Sequence, residues 1–547
     1  MAFFDIKAYD YDEARDGDRC WLSGALWAFP PWTPIMRQWL DITGFGIWKA
    51  YEYWSIPGTR GWDQRVHNGV FYISAMEIKD ENIRKEREKK FLEHANAKGL
   101  LDDAIKYWDS FKPELDRISR PLLNFDLQRS NDAELSNHIY ECANALRLMG
   151  VIHYQVMAGI GGLTFYFRDL LKKHLNMSMQ DPEFSTLISG FETKLYEANK
   201  EIINLAERAD KLGLKHVFLS QNSDTILSEL AKTENGNKWI SDFHNFMEIY
   251  GIRPRVQGVF LPTWVEMPSI PLGEVKKAIS GPYAAPDQNR EALIKKREET
   301  EKELLNKIPV NDREFFRKMM RGAQAWTVFN EDHPYYTEFP FFACLRLASI
   351  EAGTRLNQRG ILENPEDAIL LYPVEIQVAL HGYESAVKDI VARRKEECER
   401  YIKAEHPPFL GNPERFEEMV SVDPILSIGI AKPIGKPEDL GAIVVGSAGA
   451  PGVAEGNARV ILSVNQLEDI LPGEILVTVS TSPQWVTVFG VIKGVVTDLG
   501  GPLAHALVVS REYGMPCVVG TLDATKKIKN GQRIKIDGNG YVVYALE

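Results

Sequence analysis

Residues 495–520, Val495 to Gly520, read VVTDLGGPLAHALVVSREYGMPCVVG. The β-branched run Gly494–Val496 predicts a strand. Thr497-Asp498-Leu499-Gly500-Gly501 supplies a turn whose two glycines admit φ > 0 or a close backbone approach. From Pro502 the apolar residues stop alternating. Leu503, Leu507 and Val508 recur at helical spacing as far as Gly514, a residue suited to end a helix. Met515-Pro516 restarts the chain, and Cys517-Val518-Val519 predicts a second strand. His505 therefore falls in the first turn of a helix that follows a glycine-rich turn.

That position has a chemistry of its own. The first turn of a helix carries unpaired N–H groups and the positive end of the macrodipole, so it stabilises a bound anion. An imidazole presented there can accept a phosphoryl group, with backbone donors available to its oxygens. A plain helix-capping histidine is the alternative for an arbitrary sequence; the whole window favours phosphoryl chemistry.

The window closely resembles the phosphohistidine motif of the phosphoenolpyruvate-utilising enzymes, a family that includes pyruvate phosphate dikinase, phosphoenolpyruvate synthase, rifampicin phosphotransferase and phenylphosphate synthase. Thr497, Asp498, Gly500, Gly501, His505, Ala506, Arg511, Glu512, Gly514, Pro516, Val518, Val519 and Gly520 match it. Two positions depart. Ser510 stands where Ala is common, and Ala504 stands where Ser, Thr or Cys is usual, so a hydroxyl beside the histidine is expected to be absent. The resemblance implies that His505 carries phosphoryl, supported by Thr497, Asp498, Gly500, Gly501 and Arg511. Thr497 and Asp498 are expected to hold the imidazole tautomer.

The chain has 547 residues, 44% hydrophobic and 26% charged, with a formal net charge of −12. That length predicts several domains, and the acidic balance argues against nucleic acid as a partner. The five cysteines, Cys20, Cys142, Cys344, Cys398 and Cys517, are widely spaced and odd in number. They predict neither a disulfide framework nor a metal site. The N-terminus is acidic where a signal peptide is basic. The most apolar stretch, Leu146 to Leu171, is interrupted by Arg147, His153, Gln155, Arg168 and Asp169. No membrane partner is expected, and the cytoplasm is the expected location.

Upstream of the motif, residues 1–75 are rich in aromatic residues and Pro. The segment is expected to be irregular and to pack over a helical core, with Trp27 and Trp32 as candidates for an apolar wall against a planar ligand. Its FPPWTPI run is similar to the opening of the substrate domain in rifampicin phosphotransferase-like proteins. Residues 78–235 read as helices throughout; the glycines of AGIGG (Ala158–Gly162) predict close helix packing, since no strand precedes them. Residues 239–268 resemble a family segment and keep Tyr250, Arg253 and Trp264, although Ile252 and Gln257 replace its usual histidine and first acid. Arg253 is a candidate for phosphate contact, with Tyr250 and Trp264 as substrate-side aromatics. Beyond them, Asp332-His333 beside Tyr335 forms a candidate general-base pair with an adjacent ring. Similar E-x-H-x-x-Y text occurs in phenylphosphate synthase-like proteins.

The expected fold is therefore multidomain α + α/β. Residues 1–429 form a mainly helical acceptor domain, 430–442 a linker, and 443–547 a small swivelling β/β/α phosphohistidine domain. No Walker A motif and no region suited to an ATP-grasp fold is found. The chain ends about thirty residues after the motif, which is expected to leave no room for a phosphoenolpyruvate-binding barrel. ATP and Mg²⁺ are thus expected at a separate ATP-grasp subunit. The expected reaction passes phosphoryl from His505 to a small acceptor, phenol-like by resemblance. The alternatives are an antibiotic or other alcohol as acceptor, a phosphocarrier or regulatory subunit, and a degenerate binding protein.

Overall fold

The computed structural model describes residues 9–24, 34–254, 258–280, 287–382, 387–431, 433–462, 464–481 and 483–546. By compactness the chain divides into two units, each discontinuous in sequence. The first comprises 1–162, 256–261 and 335–425; the second comprises 163–255, 262–334 and 426–547. These boundaries differ from the expected linear partition, because the C-terminal region shares a unit with helices from the middle of the chain. The architecture is multidomain α + α/β, with a large helical region followed by a β-rich C-terminal region.

The first unit holds an antiparallel sheet built from β1 (Cys20–Ser23), β2 (Thr59–His67), β3 (Val70–Glu77) and β4 (Phe409–Gly411), in the order β2-β3-β1-β4. This corrects the expectation of an irregular aromatic segment. β2 and β3 form a hairpin around Asn68 and Gly69, at φ 49° and 74°, the dipeptide that best fits a two-residue turn with both residues at φ > 0. Trp21 of β1 is buried, donates its indole N–H to the Asp16 carbonyl at 2.9 Å, and has Arg19 and Arg65 over its ring. The Ala158–Gly162 glycines do pack closely: a Cβ at Gly159 would come within 2.8 Å of Trp54, and one at Gly162 within 2.5 Å of Phe91. They lie in the helix Asp132–Leu175, the one helix among the described residues long and apolar enough to cross a membrane. Since 72% of its apolar window is buried inside the protein, it serves as a core helix.

The second unit joins helices, chiefly Lys194–Lys211, Glu234–Tyr250, Asp287–Lys307 and most of Arg313–Tyr336, to a C-terminal sheet. Its eight strands are β5 (Val444–Val445), β6 (Ala448–Ala450), β7 (Val453–Ile461), β8 (Ile475–Thr478), β9 (Gly494–Thr497), β10 (Cys517–Val519), β11 (Arg533–Asp537) and β12 (Val542–Ala545). They run in the order β5-β12-β11-β7-β8-β9-β10-β6. The centre, β7-β8-β9-β10, is parallel, and antiparallel pairs flank it. Val477, Val496, Val518, Ile534 and Ile536 lie in its core. β9, the helix His505–Glu512 and β10 form the crossover that the motif predicts, and Gly514 follows the helix at φ 64°, the left-handed geometry of a glycine stop.

Candidate active site

His505 is the first residue of its helix, preceded by Ala504 in extended backbone. Two glycines shape the approach. Gly500 has φ 141°, a conformation that side chains disfavour. Gly501 lets backbone pass: a Cβ there would meet the Ile430 nitrogen at 2.9 Å and the Gly429 carbonyl carbon at 3.0 Å.

The imidazole is buried, with one nitrogen held and the other facing an acid. Nδ1 lies 2.9 Å from the Thr481 hydroxyl. Nε2 makes no hydrogen bond and lies 3.6 Å from Oε2 of Glu331. Phe489 closes one side edge-on, its centroid at 5.9 Å. A hydroxyl does therefore serve the histidine, supplied by the loop after β8 instead of by residue 504, which corrects the expectation of its absence. Thr481 and Glu331 are the residues that motif reading missed. The available hint was the E of the E-x-H-x-x-Y text, which is Glu331 itself.

Burial decides the charge states. It pushes His505 down to about 3, and the nearby Arg253 charge adds to the effect. Burial pushes Glu331 up to about 8, with Asp332 adding and Asn330 and Arg511 opposing. At neutral pH the imidazole is uncharged and Glu331 is largely protonated, so their 3.6 Å approach is a contact between neutral groups. A neutral imidazole with a free lone pair is a nucleophile, and a carboxyl titrating near 8 can take or give a proton at physiological pH.

The other predicted residues divide. Arg253 is near enough to act on His505 electrostatically. It follows the Glu234–Tyr250 helix, with its guanidinium 4.7 Å above the Trp264 ring. Trp264 stacks on Phe246, which also meets Tyr250 at 5.1 Å, so both predicted aromatics belong to one packed stack. Arg511 is buried, which lowers it to about 10; Nη1 reaches the Pro502 carbonyl at 3.4 Å and Nη2 has no hydrogen-bond partner.

Thr497 and Asp498 brace the loop, which corrects the tautomer role expected of them. Thr497 donates to the Leu499 carbonyl at 2.7 Å. Asp498 accepts from the Thr525 hydroxyl and, at 2.9 Å, from its N–H. Burial raises the Asp498 carboxyl to about 6.

Asp332 and His333 are consecutive residues of the Arg313–Tyr336 helix. Asp332 accepts from the Lys194 N–H at 2.7 Å, at the start of the Lys194–Lys211 helix. His333 Nδ1 lies 2.9 Å from the Phe329 carbonyl. Tyr335, in the same helix, meets Tyr336 edge-on. Trp27, Trp32 and Gln257 lie outside the described residues.

Comparison with known proteins agrees with this geometry. Residues 470–540 match the PEP-utilising enzyme, mobile domain, and residues 152–331 match the rifampicin phosphotransferase fourth domain. The chain is 30% identical over 341 residues to rifampicin phosphotransferase of Bacillus subtilis (strain 168), covering 60% of this chain and 37% of that protein. It is 26% identical over 368 residues to the uncharacterised phosphotransferase YvkC of the same strain, covering 66% and 43%. It is 27% identical over 473 residues to the chondramide synthase cmdD of Chondromyces crocatus, covering 83% and 12%. The chain spans less than half the length of these curated relatives.

Proposed function

We propose that this chain, which is similar to rifampicin phosphotransferases and to the mobile domain of PEP-utilising enzymes, carries phosphoryl on Nε2 of His505 and passes it to a hydroxyl of a small molecule. The observation that carries this reading is the neutral, buried imidazole with Nδ1 held by Thr481 and Nε2 facing Glu331.

Loading forms an N–P bond at Nε2 and breaks the donor's bond to phosphorus. In the second step the acceptor oxygen attacks phosphorus, the O–P bond forms, and the N–P bond breaks. Glu331 in its carboxylate form takes the hydroxyl proton, and the imidazole, which keeps its Nδ1 proton throughout, departs with the N–P electron pair as neutral His505. Arg253 and Arg511 offset charge on the transferring oxygens. Glu331 takes the base role that the Asp332–His333 pair was expected to fill.

ATP and Mg²⁺ are assigned to an ATP-grasp protein outside this sequence, and residues 430–442 to a hinge by which the histidine domain reaches it. A phenol-like acceptor and a cytoplasmic setting complete the proposal.

The test is phosphoryl labelling from β-labelled ATP with a stand-alone ATP-grasp protein, compared with the chain alone and with His505→Ala. Acid-labile label that needs the partner, is lost in the variant and is discharged by phenol is the expected result. Label that no alcohol discharges favours a phosphocarrier, and no label with an active partner rejects the proposal.

A further inference from the structure

The two oxygens of Glu331 have different surroundings. Oε1 accepts a hydrogen bond from Nδ2 of Asn330 at 3.0 Å. Oε2 has no hydrogen-bond partner and lies 3.6 Å from Nε2 of His505. The side chain is buried, at 3% exposure, so water does not make up for a partner lost at either oxygen.

Burial opposes the charge that a base must carry. After burial itself, the Asn330 hydrogen bond acts most strongly on Glu331, and it lowers the carboxyl. The other influences are weaker. From the His505–Glu512 helix, Arg511 favours the carboxylate and Glu512 opposes it; Asp332, next on the helix that carries Glu331, also opposes it. Tyr196 and Tyr513 line a small cavity together with Glu331, and the imidazole of His505 faces Oε2. A donor fixed on one oxygen divides the work of a carboxyl. In the ionised form it stabilises the charge. In the protonated form the oxygen that accepts from an N–H is the carbonyl oxygen, which leaves the proton to Oε2. The bond also holds the carboxyl plane about its last torsion, which is otherwise broad.

We infer that Asn330 is a positioning residue for the transfer step, holding Oε1 of Glu331 so that the acceptor's proton arrives at Oε2, on the side of His505. In that step the acceptor O–H bond breaks and Oε2–H forms, while O–P forms and the N–P electron pair returns to Nε2. The inference rests on the phosphohistidine reading above and adds to it a residue that acts through Glu331.

The test compares the full chain with Asn330→Leu, which keeps the size and loses the donor, and Asn330→Asp, which keeps the shape and brings charge. Each is loaded at His505 with phosphoramidate, and discharge to phenol is followed by ³¹P NMR across pH; the titration of phenol itself is common to all three. The parent rate is expected to rise through about pH 8, where Glu331 ionises. In Asn330→Leu that rise should lie about one pH unit higher, the worth of one hydrogen bond to a charged group, so that discharge at neutral pH is about tenfold slower. Asn330→Asp, with a second acid beside the first, should move it at least as far. A slower rate with the rise unmoved is what a structural role alone produces, and it overturns the inference. An infrared difference spectrum adds a readout that needs no phosphoryl. The C=O band of protonated Glu331, assigned with Glu331→Gln, should move to higher wavenumber in Asn330→Leu, and an unmoved band overturns the inference. Failure of the parent His505 to take label overturns the reading beneath it, and the infrared band tells that failure apart from failure of the Asn330 role.

Discussion

A buried histidine close to an arginine binds protons poorly, and on the proposed reading that property prepares a nucleophile. Removing one hydrogen bond to it tests the arrangement directly. Thr481→Val should slow loading of His505 about three- to tenfold, for about 0.5–1.5 kcal/mol of lost orientation. Thr481→Ser should retain the rate, and ¹⁵N NMR of the imidazole should report a tautomer shift only in the valine variant. Glu331 gives a second test through pH. Its folded value near 8 exceeds the ordinary carboxyl value of 4.5. The folded state therefore holds the extra proton between those values, and the associated stability is full below pH 4.5 and lost as pH rises through 8. His505 has the opposite sign, its share being lost as pH falls from 6.5 toward 3. The Tm of Glu331→Gln minus that of the parent should rise from pH 5 to pH 8; a flat difference rejects the buried acid. His505 was legible in the sequence because its motif is contiguous. Thr481 and Glu331 reach it only through tertiary packing, so no local spacing announces them.

Short elements separate what could be read from what could not. The strand–helix–strand unit around His505 is local: its apolar runs, its glycine turn and Gly514 all lie within one window, and the structure follows them closely. The sheet of the first unit is different. Asn68-Gly69 carries a strong hairpin signal, yet the dense aromatic residues around it favour an irregular reading. β4 then joins from residues 409–411, a distance that periodicity does not span. The glycine turn offers the prediction at this scale. Gly501→Ala puts a methyl group against the backbone of residues 428–430, which cannot fold aside as a flexible side chain can. The substitution should lower stability by about 1–3 kcal/mol, typical of overpacking, measured by urea unfolding; a neutral result means that this backbone moves freely away from the turn.

Across the second unit, hydrogen bonds are among the contacts by which the C-terminal region meets the helical segments. Glu512 accepts from Gly190, Asn199 donates to Tyr513, and the Tyr541 hydroxyl donates to the Gln180 carbonyl at 2.6 Å. Each contributes about 1 kcal/mol, an amount that suits the proposed swivelling of the histidine domain between a partner and the acceptor. Tyr541→Phe should therefore shift the balance toward the undocked arrangement about fivefold. Charging by a partner should become faster and discharge to acceptor slower, both read from acid-labile label; parallel slowing of both steps argues for plain loss of fold instead.

The discontinuity of that unit also bears on how the protein is made. Helices complete by residue 334 share their unit with strands that emerge only from residue 444 onward. At about 5–20 residues per second, the apolar faces of those helices wait on the order of 10–40 s on the ribosome for the last strand. Yield in the cell is thus tied to chaperone supply and translation speed during that interval, and a synonymous change that slows decoding between residues 335 and 547 would lengthen the exposure without altering a single side chain.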